Sequence, residues 1–360
     1  MYNNNQRPRE NTFKEIKGYV SKRARLQLDN NNLEKIQTEN GNTTSETSHE
    51  SQLSITKLLS LPNRIRSALE NDHAHINVER SSTIPRRKII SFPKEHTKGV
   101  NSLSWCGSFG QVLASASMDC TVRIWDVFRT KKCVRIIKHD GAVKDIRWNI
   151  NFNNILSGGY DKTAKISDIE TGITIQESRK FFGSVNDIEF FPSGDNVLTC
   201  SDYVVRNASD KNIMVWEIDS MTAISNQIYQ EAFSCTALRF HPFRKHFVAQ
   251  SNGNYVAIFG GEKPWKLDKR KRFEGHLVNG HPIRCNFSAE PEQGRFLASG
   301  DANGGIFFYE WSSSKVVKVI EGAHQGACID VCWHPLLNGI IASCGWDGKV
   351  ALWGTNTFTL

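Results

Sequence analysis

From Arg87 onward, apolar runs of five to seven residues, rich in Val, Ile, Leu and aromatics, alternate with Gly, Asp, Asn and Pro. Runs of that length are strand-sized, and the residues between them are those that reverse a chain, so the pattern predicts an all-β domain. The first 85 residues have a different texture. Asn, Ser, Thr and Gln dominate, with Asn3–Asn5 and Asn30–Asn32 as clusters and few large apolar residues from Asn40 to Ser54. Such a stretch cannot bury enough surface to offset its chain entropy. The expected organisation is a disordered polar and basic arm over 1–85 and a folded domain over 86–360. Within the arm, Leu58, Leu61, Ile65 and Leu69 form one face of a short helix interrupted near its start by Pro62. That segment reads as a marginal, mostly unfolded helix, with a docking peptide as the sharper alternative.

An internal repeat organises the β-rich region. Its copies end at Ile124-Trp125-Asp126, Ile166-Ser167-Asp168, Val215-Trp216-Glu217, Ile258-Phe259-Gly260, Phe308-Tyr309-Glu310 and Leu352-Trp353-Gly354. Six residues before each central position stands a turn residue: Asp119, Asp161, Asp210, Gly253, Asn303 and Asp347. Further upstream an aromatic recurs, at Trp105, Trp148, Phe190, Phe240, Phe287 and Trp333. His96, His139, His276 and His324 open four of the copies.

These aligned signals resemble the WD repeat over about three quarters of the chain, which implies a β-propeller, here of six blades with four strands each. The resemblance also implies a polar chain of His, Ser, Asp and Trp in each blade. Blade one matches it with His96, Ser115, Asp119 and Trp125, and blade six with His324, Ser343, Asp347 and Trp353. Blade two has His139, Ser157 and Asp161 but Ser167 in place of Trp. Blade five keeps His276 and Ser299 but has Asn303 and Tyr309, and blades three and four are further degraded. Catalytic triads are the tempting reading and are rejected, because the sets recur once per blade, include the Trp, and lack a nucleophile elbow or oxyanion-hole pattern. Asp301-Ala302-Asn303-Gly304 faintly resembles the start of a calcium loop but lacks the distal Glu. Asp301 lies off the aligned turn position, so its loss is expected to matter less than that of Asp347.

The last repeat ends with seven residues to spare after Trp353. Its outer strand must come from elsewhere, and Arg87–Phe92 is the candidate. Pairing it with the Trp353 strand would join the two ends of the domain and remove an exposed edge.

Composition changes the picture in few places. Net charge is +8, and the 16 Lys/Arg against 11 Asp/Glu before His96 put +5 of it ahead of the first repeat. That balance suits an acidic or nucleic-acid-bearing neighbourhood. Nine scattered cysteines, with no Cys-x-x-Cys, read as reduced thiols rather than a metal site or disulfide framework. No apolar run nears membrane-spanning length and the N-terminus has no signal-peptide character, so a soluble intracellular protein is expected. Lys22-Arg23-Ala24-Arg25 and Pro85-Arg86-Arg87-Lys88 are candidate nuclear-import clusters, giving a nuclear location with the cytoplasm as the alternative.

Two groups of residues are candidate contact sites. Blade three has an expanded turn, Ser201 to Asp210, in which Tyr203 and Arg206 are the side-chain types that dominate protein hot spots. Lys269, Arg270, Lys271 and Arg272, near Trp265, are candidate RNA contacts on the outer strand of blade four. A charged edge that resists aggregation is the plainer reading of the same bases.

Some stretches are more particular than a generic repeat. His96-Thr97-Lys98-Gly99-Val100 with Ser117-Met118-Asp119-Cys120, and the closing Trp333-His334-Pro335 and Cys344-Gly345-Trp346-Asp347-Gly348, resemble the family of pre-mRNA-processing factor seventeen. Asn207-Ala208-Ser209-Asp210-Lys211, Ile224-Ser225-Asn226-Gln227-Ile228 and Gln250-Ser251-Asn252-Gly253-Asn254-Tyr255 resemble its WD-repeat protein twenty-five branch more closely. The resemblance implies a non-catalytic scaffold that binds proteins, in a splicing assembly, with RNA contact as the alternative. It implies no cofactor, no metal, no small-molecule substrate and no membrane partner. It also implies one more repeat between blades two and three, where Gln176-Glu177-Ser178-Arg179-Lys180 here runs straight into Phe182-Gly183-Ser184-Val185. Loss of a blade in this lineage and a shortened isoform both account for that.

Overall fold

A computed structural model describes residues 84–92, 95–107, 110–149, 153–161, 163–178, 185–193, 195–201, 213–217, 222–225, 233–288 and 294–355. The expected arm, its helical face, the cluster at Lys22, and Tyr203 and Arg206 lie outside these residues.

The described chain is all β, in six antiparallel sheets arranged as the blades of a propeller. The first strand, β1 (Arg87–Ser91), is set aside for the last blade. Blade one is β2 (Val100–Trp105), β3 (Val112–Ser117), β4 (Thr121–Asp126) and β5 (Lys132–Lys138). Blade two is β6 (Val143–Trp148), β7 (Asn154–Gly159), β8 (Ala164–Asp168) and β9 (Thr174–Ser178). Blade three is β10 (Val185–Phe190), β11 (Asn196–Ser201) and β12 (Ile213–Glu217), with an isolated bridge from Trp216 to Ala223 where a fourth strand begins to pair. Blade four is β13 (Cys235–Phe240), β14 (His246–Ser251), β15 (Tyr255–Gly260) and β16 (Leu267–Glu274). Blade five is β17 (Cys285–Phe287), β18 (Phe296–Gly300), β19 (Ile306–Glu310) and β20 (Val316–Ile320). Blade six is β21 (Cys328–Trp333), β22 (Ile341–Gly345) and β23 (Val350–Gly354), completed by β1.

The closing strand is the one expected from the sequence. Arg87 pairs with Gly354, Lys88 with Trp353, Ile90 with Leu352 and Ser91 with Ala351. Its buried face puts Ile90 and Phe92 into the apolar cluster shared by blades six and one. The backbone at Arg86 and Phe92 continues the ladder, donating to Gly354 and Val350 carbonyls.

Each blade's middle strands are apolar on both faces, so neighbouring blades must cover them. Apolar clusters accordingly span blades one and two, three and four, four and five, five and six, and six and one. Among the described residues no such cluster spans blades two and three. The second strand shows the contrast: β3 and β22 are buried throughout, whereas β7 leaves Leu156 46% exposed.

Candidate functional site: the turn face, the inner ring and the basic edge

The turns that precede each inner strand and the turns between the second and third strands share one face of the propeller. There the structure brings His96, Ser115, Asp119 and Trp125 together. Trp125 Nε1–H donates to Ser115 Oγ at 2.8 Å, His96 Nε2 lies 2.8 Å from the same oxygen, and His96 Nδ1 lies 2.8 Å from Asp119 Oδ2. Blade six repeats the geometry: Trp353 to Ser343 at 2.8 Å, Ser343 to His324 at 2.8 Å, and His324 to Asp347 at 3.1 Å. A neutral imidazole satisfies every link, with Ser donating to Nε2 and Nδ1–H donating to the carboxylate. Asp347 also accepts the Gln325 and Lys349 amides, and Asp119 those of Thr97 and Thr121. Burial alone would raise both carboxyls, yet these bonds and the histidine beside each hold them low, Asp347 at about 2. The serines are fully buried, each with an indole N–H on its oxygen, so no substrate reaches them.

Blade two keeps His139 between Ser157 at 2.7 Å and Asp161 at 3.1 Å. In blade five the set is rewired. His276 Nδ1 lies 2.8 Å from the Tyr309 hydroxyl, and its Nε2 lies 2.5 Å from the Gln250 side-chain amide of blade four. Ser299, instead of meeting the histidine, donates to Gln250 Oε1 at 3.3 Å. The carboxylate role falls to Asp301, not Asn303. Asp301 accepts the Leu277 amide at 2.6 Å and the Asn303 amide at 2.8 Å and is buried. Asp301 thus holds the same kind of turn from two positions before Asn303, with two amides where Asp347 takes two amides and His324.

The six inner strands line the channel, and this ring was not foreseen. At equivalent positions stand Ser102, Asp145, Asp187, Ala237, Arg284 and Asp330. Asp330 accepts the Leu103 amide of blade one, and Asp187 the Leu238 amide of blade four, both at 2.9 Å. Asp145 takes the Ser102 hydroxyl at 2.7 Å and, across the channel from blade five, Arg284 Nη1 at 2.9 Å. Arg239 binds Asp187 at 2.6 Å. Burial raises the Asp330 and Glu189 carboxyls against the arginines around them, while at Asp145 Arg147 and Arg284 outweigh burial and lower it. The recurring Asp two residues after the start of β6, β10 and β21 is the signal that sequence reading passed over.

On the opposite face, His-Pro pairs after the inner-strand aromatic clamp neighbouring blades. His334 Nδ1 accepts the Leu336 and Leu337 amides, so its Nε2–H donates, reaching the Gly110 carbonyl of blade one at 2.6 Å. Burial lowers His334 to about 3. Gly110 has φ +61°, and a Cβ there would strike the His334 ring.

The basic edge lies on β16, the outer strand of blade four, as read from the sequence. It is not a regular strand. Ala257 pairs with Arg272 and Phe259 with Leu267, so residues 268–271 bulge out opposite Ile258. Lys269, Arg270, Lys271 and Arg272 are exposed. Lys271 Nζ reaches the Ser312 carbonyl of blade five at 3.4 Å, whereas Arg272 is engaged by Glu274 and lies over the Tyr255 ring at 5.1 Å. Trp265 is a core residue, packed in the cluster of blades three and four. The basic cluster at Pro85-Arg86-Arg87-Lys88 runs into β1, with Lys88 Nζ 4.9 Å from the Trp353 ring centre.

Residues 87–126, 131–168, 176–217 and 314–354 match the WD40 family, described as WD domain, G-beta repeat. Blade four and the first three strands of blade five, where Gly253 and Asn303 replace the turn Asp, fall outside those matches. The mouse WD repeat-containing protein 25 is 29% identical over 320 residues, 76% of this chain and 59% of that protein. Human pre-mRNA-processing factor 17 is 29% identical over 329 residues, 77% of this chain and 55% of that protein. The Saccharomyces cerevisiae pre-mRNA-processing factor 17 is 23% identical over 313 residues, 74% of this chain and 66% of that protein. The chain thus spans little more than half the length of its mouse and human relatives. The crystal structure of the Myceliophteria thermophila Cps50 (Swd1) β-propeller domain has a TM-score of 0.60 at 16% identity, covering 76% of this chain and 100% of that one. That likeness concerns the fold alone. Among the described residues no helix is long and apolar enough to cross a membrane.

Proposed function

Because this chain is a WD40-repeat β-propeller, we propose that it is a non-catalytic scaffold that binds other proteins within a pre-mRNA splicing assembly, and so acts in the nucleus. The observation that carries the reading is the match, over three quarters of the chain, to proteins named pre-mRNA-processing factor 17. The buried serines of the polar sets support the non-catalytic part, since the most triad-like groups in the chain serve the turns. The test is purification of the tagged full chain from nuclear extract, with proteins and small RNAs identified against a tag-only control. Enrichment of splicing factors with spliceosomal RNAs is expected. A folded bait that enriches neither would overturn the reading.

A second reading, direct contact with RNA, is favoured by one observation: the exposed bases at 269–271 stand out from the blade edge in a bulge rather than lying flat along a strand. On the first reading, Tyr203 and Arg206 remain proposed protein contacts. Their double substitution to Ala should lower the yield of co-purified proteins without changing the melting temperature.

A further inference from the structure

A cleft of about 390 Å³ opens between blades four and five, lined by His241, Phe243, Arg244, Arg295, Trp311 and Ser312 among others. It lies on the face opposite the His–Asp turns, at the other ends of the same strands. Its volume is within the range of small-ligand sites, about 300–1,000 Å³. We propose that this cleft and the bulge beside it bind single-stranded RNA, with a base against Phe243 and Trp311 and the adjoining phosphates on Arg244, Arg295 and Lys271. The inference rests on the second reading above and not on the scaffold reading.

Two observations converge on it. The first is the aromatic wall. Trp311, only 8% exposed, forms the floor, held rigid by His241, His246, Phe273 and Phe287 with ring centres 4.7–5.9 Å away, and Phe243 at the mouth, 47% exposed, offers the open ring face. Exposed aromatic faces beside cations are what single-stranded nucleic acids stack upon, and duplexes, whose bases are already stacked, do not need them. The second is charge. Arg244 and Arg295 line the cleft and Lys271 lies over its rim at Ser312, against Glu310, the carboxylate among the described lining residues, which pairs with Arg295 at 3.2 Å. Lys269 and Arg270 are exposed on the bulge beside Lys271, with Asp268 the acid among them, and this net positive stretch suits a polyanion longer than one residue.

His241, the blade-four counterpart of His334, forms the back of the cleft. Its Nδ1 likewise accepts two amides, from Phe243 and Arg244, and its ring faces the Gly294 backbone of blade five as His334 faces Gly110. Burial lowers the ring to about 4, so it brings no charge to the cleft near neutral pH.

The test is fluorescence anisotropy of the purified full chain with a labelled oligouridylate of about 12 nucleotides, from roughly 50 to 200 mM salt. The Phe243→Ala, Arg244→Glu, Lys271→Glu variant should bind at least about tenfold more weakly, with a salt slope shallower by about 1.4 for the two lost cations. A charge-matched control, Lys132→Glu with Lys138→Glu on β5, should bind as the parent does. A duplex of equal length should bind more weakly than the single strand. No binding by the parent would overturn both the second reading and this site. Parent-like binding by a triple variant of unchanged melting temperature would overturn the site alone, as would an equal loss in the control. Tighter binding of a labelled acidic peptide than of RNA, lost in the same variant, would reassign the cleft to protein.

Discussion

Two junctions of the propeller solve the same problem differently. Where blade six meets blade one, Phe92, Leu103, Leu113, Leu337 and Leu352 form one buried cluster. Directional bonds cross it as well: Leu103 N–H to Asp330, Trp105 Nε1–H to the Cys332 carbonyl at 3.1 Å, and His334 to Gly110. Where blade two meets blade three, the described residues are joined by polar contacts. Lys144 Nζ reaches Asn186 Oδ1 at 3.2 Å, and Arg147 Nη2 lies 3.5 Å from Asp187. Leu156 and Ile188 are each 46% exposed there. The weak junction falls where the family resemblance implies a further repeat. Among the described residues, the inner ring of charges persists across a junction that no apolar cluster bridges, while the junction closed by the strand joining the chain ends has both.

The widest separation should appear on truncating a leucine on either side. Leu113→Ala empties a fully buried site at the six–one junction and should cost about 2–5 kcal/mol in urea denaturation. Leu156→Ala removes a half-exposed side chain and should stay within about 0.5 kcal/mol of the parent. Equal losses would mean that blade three covers Leu156 in solution, and the comparison would break.

The polar sets come next in size. Asp347→Ala should destabilise by about 1–3 kcal/mol, because it strands buried donors at the closing blade. Asp301→Ala should cost a similar amount, since two amides depend on that carboxylate. An unchanged melting temperature in either variant would show that its turn holds without the carboxylate.

Acid should attack the junctions that carry buried histidines, four–five and six–one. Burial holds His334 at about 3 and His241 and His276 at about 4, below the ordinary value near 6.5. Between those limits the unfolded chain takes up protons that the folded chain refuses. Their contribution is therefore complete above about pH 6.5 and is lost as pH falls toward 4. Asp347, lowered to about 2, adds a loss from about pH 4 downward. The melting temperature should fall steadily from pH 7 to 4. A flat profile over that range would show that these rings take up protons in the folded state.

Much of this was legible in the sequence, and the rest was hidden for physical reasons. Period and strand length gave six blades, and the missing outer strand after Trp353 pointed to Arg87–Phe92. Both follow from local patterning. The rewired set of blade five was only half legible: Tyr309 stands at the aligned Trp position, but Gln250 reaches His276 from blade four, which no single-repeat alignment shows. The bulge at 268–271 depends on register, which bases on a polar edge do not specify. Trp265 looked like a companion of those bases by proximity along the chain, yet it lies in the turn before β16, at φ +51°, and its ring packs into the core of blades three and four. The cleft was invisible because its walls come from turns some 70 residues apart, His241 to Trp311. The His-Pro signature at His334 and its partner His241 would have marked it, had it been read as an interblade clamp.

The finest test of the comparison concerns three equivalent amides of the inner strands. Leu103 N–H is held by Asp330 across the six–one junction, and Leu238 N–H by Asp187 across the three–four junction. The third, Ile188 N–H, turns to its own neighbour Asp187 at 3.1 Å, because Asp145 of blade two is committed to Ser102, Arg147 and Arg284. A bond within one residue of itself opens with its own strand, whereas a bond across a packed junction opens only when two blades part. Hydrogen exchange at Ile188 should therefore be faster than at Leu103 and Leu238 by more than about tenfold, with no change in global stability. Equal protection at all three would mean that blade two supports blade three as firmly as blade six supports blade one, and the difference between the two junctions would not survive in solution.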